Sequence, residues 1–162
     1  VASDPLSGLV NRSRLMESLQ EAVARCRRFG QFFSLLLFRI DQYEELCRRF
    51  GNAGVDCLVL EVSTVLKRLN KLPEVPARVS GSGFAWLLPQ VAELEARQRA
   101  EALRDAVENL VVSMAIGAEI TATISVVIRT VKGDGVAAAE LLDSMQQQLH
   151  RCAGENEIIE QP

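Results

Sequence analysis

Apolar and charged positions alternate along this chain with two distinct periods. After Asn11, the residues Leu15, Leu19, Val23 and Cys26 recur at helical spacing, with arginine and glutamate between them. This pattern predicts a helix capped by Asn11 and ended by Gly30. "QFFSLLLFRI" then reads as a buried strand. Gln42 to Leu69 predicts two helices parted by a turn at Gly51 to Gly54. "VPARVS" and "GFAWLLP" form a hairpin around a small-residue tip. Residues 91 to 109 predict a charged amphipathic helix with Leu94, Gln98, Ala102 and Leu103 facing inward. "LVVSMAIG" and "EITATISVVIRT" are β-rich around a turn at Gly117, and "GDG" at 133 to 135 is a loop. "VAAAELLDSMQQQLHRC" is a last helix and "NEIIEQ" an edge strand. This order implies an α+β fold, a central mostly antiparallel sheet flanked by helices.

Length and composition narrow the function classes. The 162 residues suit one domain, and 48% hydrophobic with 24% charged residues marks a globular chain. A net charge of −3 argues against nucleic acid as the main partner. The arginines at 25, 27, 28, 48 and 49 read as solvated helix faces. Cys26, Cys47, Cys57 and Cys152 form no C-x-x-C pair, and His150 is the one histidine, so no zinc site is expected. Apolar neighbours predict buried thiols in a reducing compartment. "FFSLLLF" is too short to span a bilayer, so this stretch is expected in the cytoplasm, with any membrane segment lying outside it.

Four local patterns, taken in order, resemble the GGDEF family of diguanylate cyclases. "DPLSGLVNR" at 4 to 12 is similar to the opening D-x-L-T-G-L-x-N-R. "FRIDQYEELCRRFGNAGVD" at 38 to 56 is similar to D-I-D-x-F-K-x-x-N-D-x-x-G-H-x-x-G-D. "ARVSGSGF" at 77 to 84 takes the place of A-R-x-G-G-D-E-F, and "TATISVV" that of T-x-S-x-G. The resemblance implies a nucleotidyl-cyclase-like fold in which two GTP molecules, one per subunit, condense to cyclic di-GMP with the help of magnesium.

The residues that would carry this chemistry are changed together. By resemblance, magnesium is bound by the first aspartate of D-I-D and the glutamate of the signature; those places hold Arg39 and Gly83. Hard cations take oxygen ligands, and neither residue supplies a side-chain oxygen. The signature hairpin reads Ser80, Gly81, Ser82, Gly83, Phe84. Ser82 offers hydrogen bonds but no fixed charge. Glu44 replaces a phosphate-facing lysine, and Cys47 replaces the asparagine that reads guanine. Asp41, Asp56 and Arg151, the last at the place of a phosphate-facing lysine, remain as residual nucleotide-site positions. Asp41 and Asp56 are expected to act as helix-start or surface acids. The inhibitory product motif R-x-x-D is matched by Lys71 and Glu74, read as part of a solvated loop.

These changes predict a non-catalytic GGDEF-like domain, without catalytic residues, metal or cofactor, that works by contact in bacterial cyclic di-GMP signalling. Expected partners are a protein or an adjacent domain, such as an EAL phosphodiesterase-like or sensor domain, and a homodimer. The chain is expected to be one domain of a longer signalling protein. The alternatives are a module that binds GTP or cyclic di-GMP without turnover, and a residual cyclase.

Overall fold

In the computed structural model, residues 2–133 and 135–162 are described; Asp134 of the expected "GDG" loop lies outside them. Eleven elements follow in order: α1 (Arg12–Phe29), β1 (Phe33–Ile40), α2 (Tyr43–Leu69), β2 (Val75–Arg78), β3 (Gly83–Pro89), α3 (Glu93–Glu108), β4 (Val112–Ser113), β5 (Glu119–Ile120), β6 (Ile124–Val131), α4 (Ala138–Arg151) and β7 (Ile158–Gln161). Asn11 caps α1 by accepting from the Arg14 N–H at 3.0 Å. Gly30 ends it in the left-handed conformation, φ 68°, which glycine adopts without a Cβ penalty. The expected pair of helices is present: α2 is two helical segments joined across a kink at Gly51, whose φ of 71° and ψ of 178° are not helical.

The main sheet has the order β2-β3-β1-β6-β7. β1 pairs antiparallel with both β3 and β6, and β7 adds at the edge parallel to β6. β4 and β5 form a separate small hairpin. The sheet is buried on both faces, so β1 reads as a continuous apolar run. Leu36, Phe38 and Ile40 of β1 pack with Trp86, α2 and α3. Leu35 and Leu37 point the other way, onto α1 and α4. Phe38 and Phe84 stack across the β1–β3 pair, centroids 5.0 Å apart.

Two expectations from the sequence are corrected here. The inner stripe of α3 is Ala96, Ala100, Leu103 and Val107, while Leu94 is 74% exposed. Small alanines let the helix lie close to the sheet, and that sets its rotation more strongly than leucine content. Of the four cysteines only Cys26 is buried; Cys57 is exposed, and Cys47 and Cys152 are intermediate.

Candidate functional site

The β1–β3 register places Arg39 directly opposite Gly83. The tip between β2 and β3 is held from both sides. Val79 N–H and Ser80 N–H donate to Gly83 O at 2.9 and 3.2 Å, and Ile40 N–H donates to Ser82 O at 2.9 Å. Arg78 braces it from below, donating to Gly81 O at 2.9 Å and to Asp4 Oδ2 at 3.3 Å. Burial opposes the charge of Asp4, but the Ser7 hydroxyl and N–H, with Arg78, outweigh it and hold the carboxyl below its ordinary range. The opening segment "DPLSGL" is thereby tied to the hairpin, and Lys67 Nζ adds a bond to Ser7 O at 2.6 Å.

Gly83 is enclosed. A Cβ built there would meet Ser80 Oγ at 2.5 Å and Val79 Cγ2 at 3.3 Å. Any side chain at this position therefore requires Ser80 to rotate away. Gly81 differs: a Cβ there would stand 3.5 Å from the Tyr43 ring, an ordinary contact. Arg39, Ser80, Ser82, Gly83 and His150 border a cavity of about 210 Å³ between the hairpin and α4.

The Arg39 guanidinium makes four hydrogen bonds within the fold. Nη1 donates to Leu149 O at 2.8 Å; Nη2 donates to Cys152 O at 2.9 Å and Gly154 O at 3.1 Å. Nε donates to Asp41 Oδ1 at 3.2 Å. One cation thus satisfies the carbonyls at the C-terminus of α4, where the helix dipole is negative. Asp41 is not a surface acid, contrary to the sequence expectation: its side chain is 3% exposed. Its carboxylate also accepts from Thr123 Oγ1 at 2.7 Å, Ser125 Oγ at 2.8 Å and Asn156 N–H at 2.7 Å. These donors lie on or beside β6 and β7, so Asp41 and Arg39 together seat the segment that links α4 to β7.

The remaining site positions sit apart from this knot. Glu44 and Asp56 are exposed on α2, Cys47 is partly covered on the same helix, and Arg151 is exposed at the end of α4. Burial pushes the Tyr43 hydroxyl above its ordinary pKa, with the neighbouring Cys47 and Asp56 adding to it against Arg78. Tyr43 and Cys47 stand one turn apart on α2, whereas Asp56 lies beyond the kink at Gly51. Lys71 is exposed, but Glu74 is not in a solvated loop as expected: its side chain is 6% exposed. Arg99 clamps both Glu74 oxygens, with Nη1 to Oε1 at 2.8 Å, and Lys71 N–H donates to Oε1 at 2.7 Å. Arg99 also lies over the Trp86 ring at 5.2 Å, while Trp86 Nε1 donates to Asn70 Oδ1 at 2.8 Å. Sequence reasoning missed Arg99, which no local pattern links to a residue 25 positions earlier.

Magnesium, which the resemblance implies, does not fit these residues. Two facing positions supply a guanidinium and no side chain, and the carboxylate of Asp41, paired with that guanidinium, already accepts four bonds. Among the described residues there is no cluster of three histidine, cysteine or acidic side chains suited to a metal ion.

Fold and hairpin together define a cyclase-like signalling domain, and comparison with known proteins makes the class specific. The family model "Diguanylate cyclase, GGDEF domain" matches residues 1–157, so the chain belongs to the GGDEF family. It is 33% identical over 105 residues to the diguanylate cyclase DgcP of Pseudomonas aeruginosa, covering 65% of this chain and 16% of DgcP. It is 27% identical over 160 residues to the response regulator PleD of Caulobacter vibrioides, covering 97% of this chain and 35% of PleD. The chain thus spans well under half the length of either relative. Among solved structures, the coiled coil and GGDEF domain of DgcB from Caulobacter crescentus, in complex with c-di-GMP, superposes with a TM-score of 0.92 at 21% identity. That match covers 99% of this chain and 85% of the other. Diguanylate cyclase SiaD of Pseudomonas aeruginosa, solved with its activator SiaC, gives a TM-score of 0.89 at 25% identity, covering 98% and 61%. No helix among the described residues is long and apolar enough to cross a membrane.

Proposed function

We propose that this GGDEF domain has exchanged phosphoryl chemistry for a contact role in cyclic di-GMP signalling. The observation that carries the reading is the Arg39 guanidinium, placed opposite Gly83 and bonded to Asp41 and three backbone carbonyls. Joining two nucleotides needs a 3′-hydroxyl nucleophile brought to an α-phosphate whose charge is offset by metal ions and fixed cations. Here the fixed cation is spent on the fold, and the place for an acidic metal ligand is glycine. An arginine at this point also repels a divalent ion.

The Arg99–Glu74 pairing supports the same reading for the inhibitory-site positions that the resemblance implies. Glu74 is neutralised by Arg99 within the chain, so a guanine base has no free carboxylate to meet there. What remains is the fold and its surfaces, and SiaD, solved with a protein activator, illustrates that a GGDEF protein can bind a partner. The domain then transmits a signal through surfaces, to an adjacent domain, a second copy or a separate protein.

Incubation with GTP and magnesium or manganese, followed by chromatography for cyclic di-GMP, tests the reading. The expected result is no product. Product that disappears on Asp56→Ala would overturn it. Calorimetry with GTP and cyclic di-GMP separates a silent domain from one that binds without turnover; the expected titrations are flat.

A further inference from the structure

The main sheet ends in two edges, and only one of them is sealed. At β2 the opening segment lies alongside: Val10 is bridged to Ala77 in parallel, and Arg78 N–H donates to Val10 O at 3.0 Å. Pro76 sits at the next outward position of that strand and has no N–H to offer. β7 has neither device. No described strand lies beyond it, and it carries no proline between Ile158 and Gln161. Its inner side is fixed by the ladder to β6, in which Val126 faces Ile158 and Val126 N–H donates to Glu157 O at 2.7 Å. Successive residues of a strand turn their backbone groups to opposite sides, so Ile158 and Glu160 direct N–H and C=O outward. Among the described residues no hydrogen bond reaches these outward groups. An unsealed edge of this kind is a template for one more strand.

The side chains around the edge say what would pair with it. Ile158 packs on the layer of α2 and α3, Ile159 on that of α1 and α4, and both are only partly buried. A strand with apolar residues beside them would extend both layers. The charge there is one-signed. Residues 153 to 162 hold Glu155, Glu157 and Glu160, all exposed, and no basic residue. Arg97 reaches Glu160 at 3.2 Å from α3 but also serves Glu101 at 3.8 Å, and Arg129 of β6 turns to Gln161. We propose that the outer edge of β7 takes up an extended, basic segment of a partner protein as an added strand, through the outward N–H and C=O groups of Ile158 and Glu160. This rests on the contact role above and gives it a partner chemistry.

The probe is a short fluorescein-labelled peptide of alternating lysine and valine, titrated with the whole chain and followed by anisotropy. The expected result is saturable binding that a peptide of alternating glutamate and valine does not show. The fully N-methylated form of the basic peptide keeps every charge and side chain but has no backbone donor. It should bind at least about tenfold more weakly, because the outward carbonyls go unpaired. On the protein, Glu160→Pro deletes one outward N–H at an edge position that tolerates proline, and should weaken binding more than Glu160→Gln, which changes charge alone. In the complex, hydrogen exchange at the Ile158 and Glu160 amides should slow, while the inward Ile159 amide stays as it was. If Glu160→Pro lowers the melting temperature, the N-methylated peptide on the unaltered protein decides. Equal binding of the N-methylated and parent peptides is charge attraction alone and overturns the proposal. So does unchanged exchange at Ile158 and Glu160, or no binding at all. A chain that ignores the peptide and makes no cyclic di-GMP sinks this inference alone; one that binds the peptide and makes cyclic di-GMP sinks only the loss of chemistry proposed above.

Discussion

Replacing Arg39 with alanine removes four hydrogen bonds at once, and the structure gives their worth. A hydrogen bond to a charged group contributes about 1.5–3 kcal/mol net. The four do not add, because the Arg39 side chain is 25% exposed and water can reach part of the vacated space. Asp41 keeps its Thr123, Ser125 and Asn156 donors but loses its counter-charge while 3% exposed. Breaking a fully buried ion pair costs about 3–5 kcal/mol, and partial solvation places this one at about 3 kcal/mol. In a domain of this size that lowers Tm by about 6–12 °C, at about 2–4 °C per kcal/mol. Arg39→Lys keeps the charge but loses the planar fork that reaches three carbonyls, so it should fall between the two. Urea denaturation followed by the fluorescence of Trp86, the one tryptophan, measures the loss. A cost below about 0.5 kcal/mol, the level of an ordinary surface change, would refute the claim that Arg39 holds the α4–β7 link in place.

Arg99→Ala should be comparably harmful, by about 3 kcal/mol, since it strands the buried Glu74 carboxylate; the Trp86 emission should shift as the overlying cation is lost. Asp4→Asn should lower stability at neutral pH and soften the acid limb. A carboxyl held below its ordinary value of 3.8 stabilises the fold above that pH and loses the contribution as pH falls through its folded value, which pH-dependent melts would reveal. In alkylation at mildly alkaline pH, Cys57 should react before Cys152, whose thiol is pushed above 9.0 by burial and by its bond to the Glu157 carboxylate; mass mapping of the labelled sites gives the order.

Much of the frame was legible because its causes are local. Asn11 and Gly30 bound α1 through their own backbone chemistry, and the period of Leu15, Leu19 and Val23 fixed its buried face. The long apolar run marked β1, and the small residues at 80 to 83 marked the hairpin. What escaped was decided by distant partners. Arg39 looked like a lost ligand, yet its bonds run to carbonyls 110 to 115 residues away. Asp41 looked solvent-facing until Ser125 and Asn156 converged on it from β6 and the approach to β7. Glu74 was assigned to solvent because its partner Arg99 lies on the next helix, beyond the hairpin. The phase of α3 was misjudged because Leu94 outweighed Ala96 and Ala100 in hydrophobicity, whereas close approach to the sheet selects the smaller residues.

The central claim is that an internal cation has taken the seat of the divalent ion. Manganese is a paramagnetic stand-in for magnesium, and its electron paramagnetic resonance spectrum with GTP reports the ion's surroundings. With Mn–GTP added to the protein, the spectrum should match that of Mn–GTP alone. A new, protein-broadened signal that vanishes on Asp41→Asn would contradict the account.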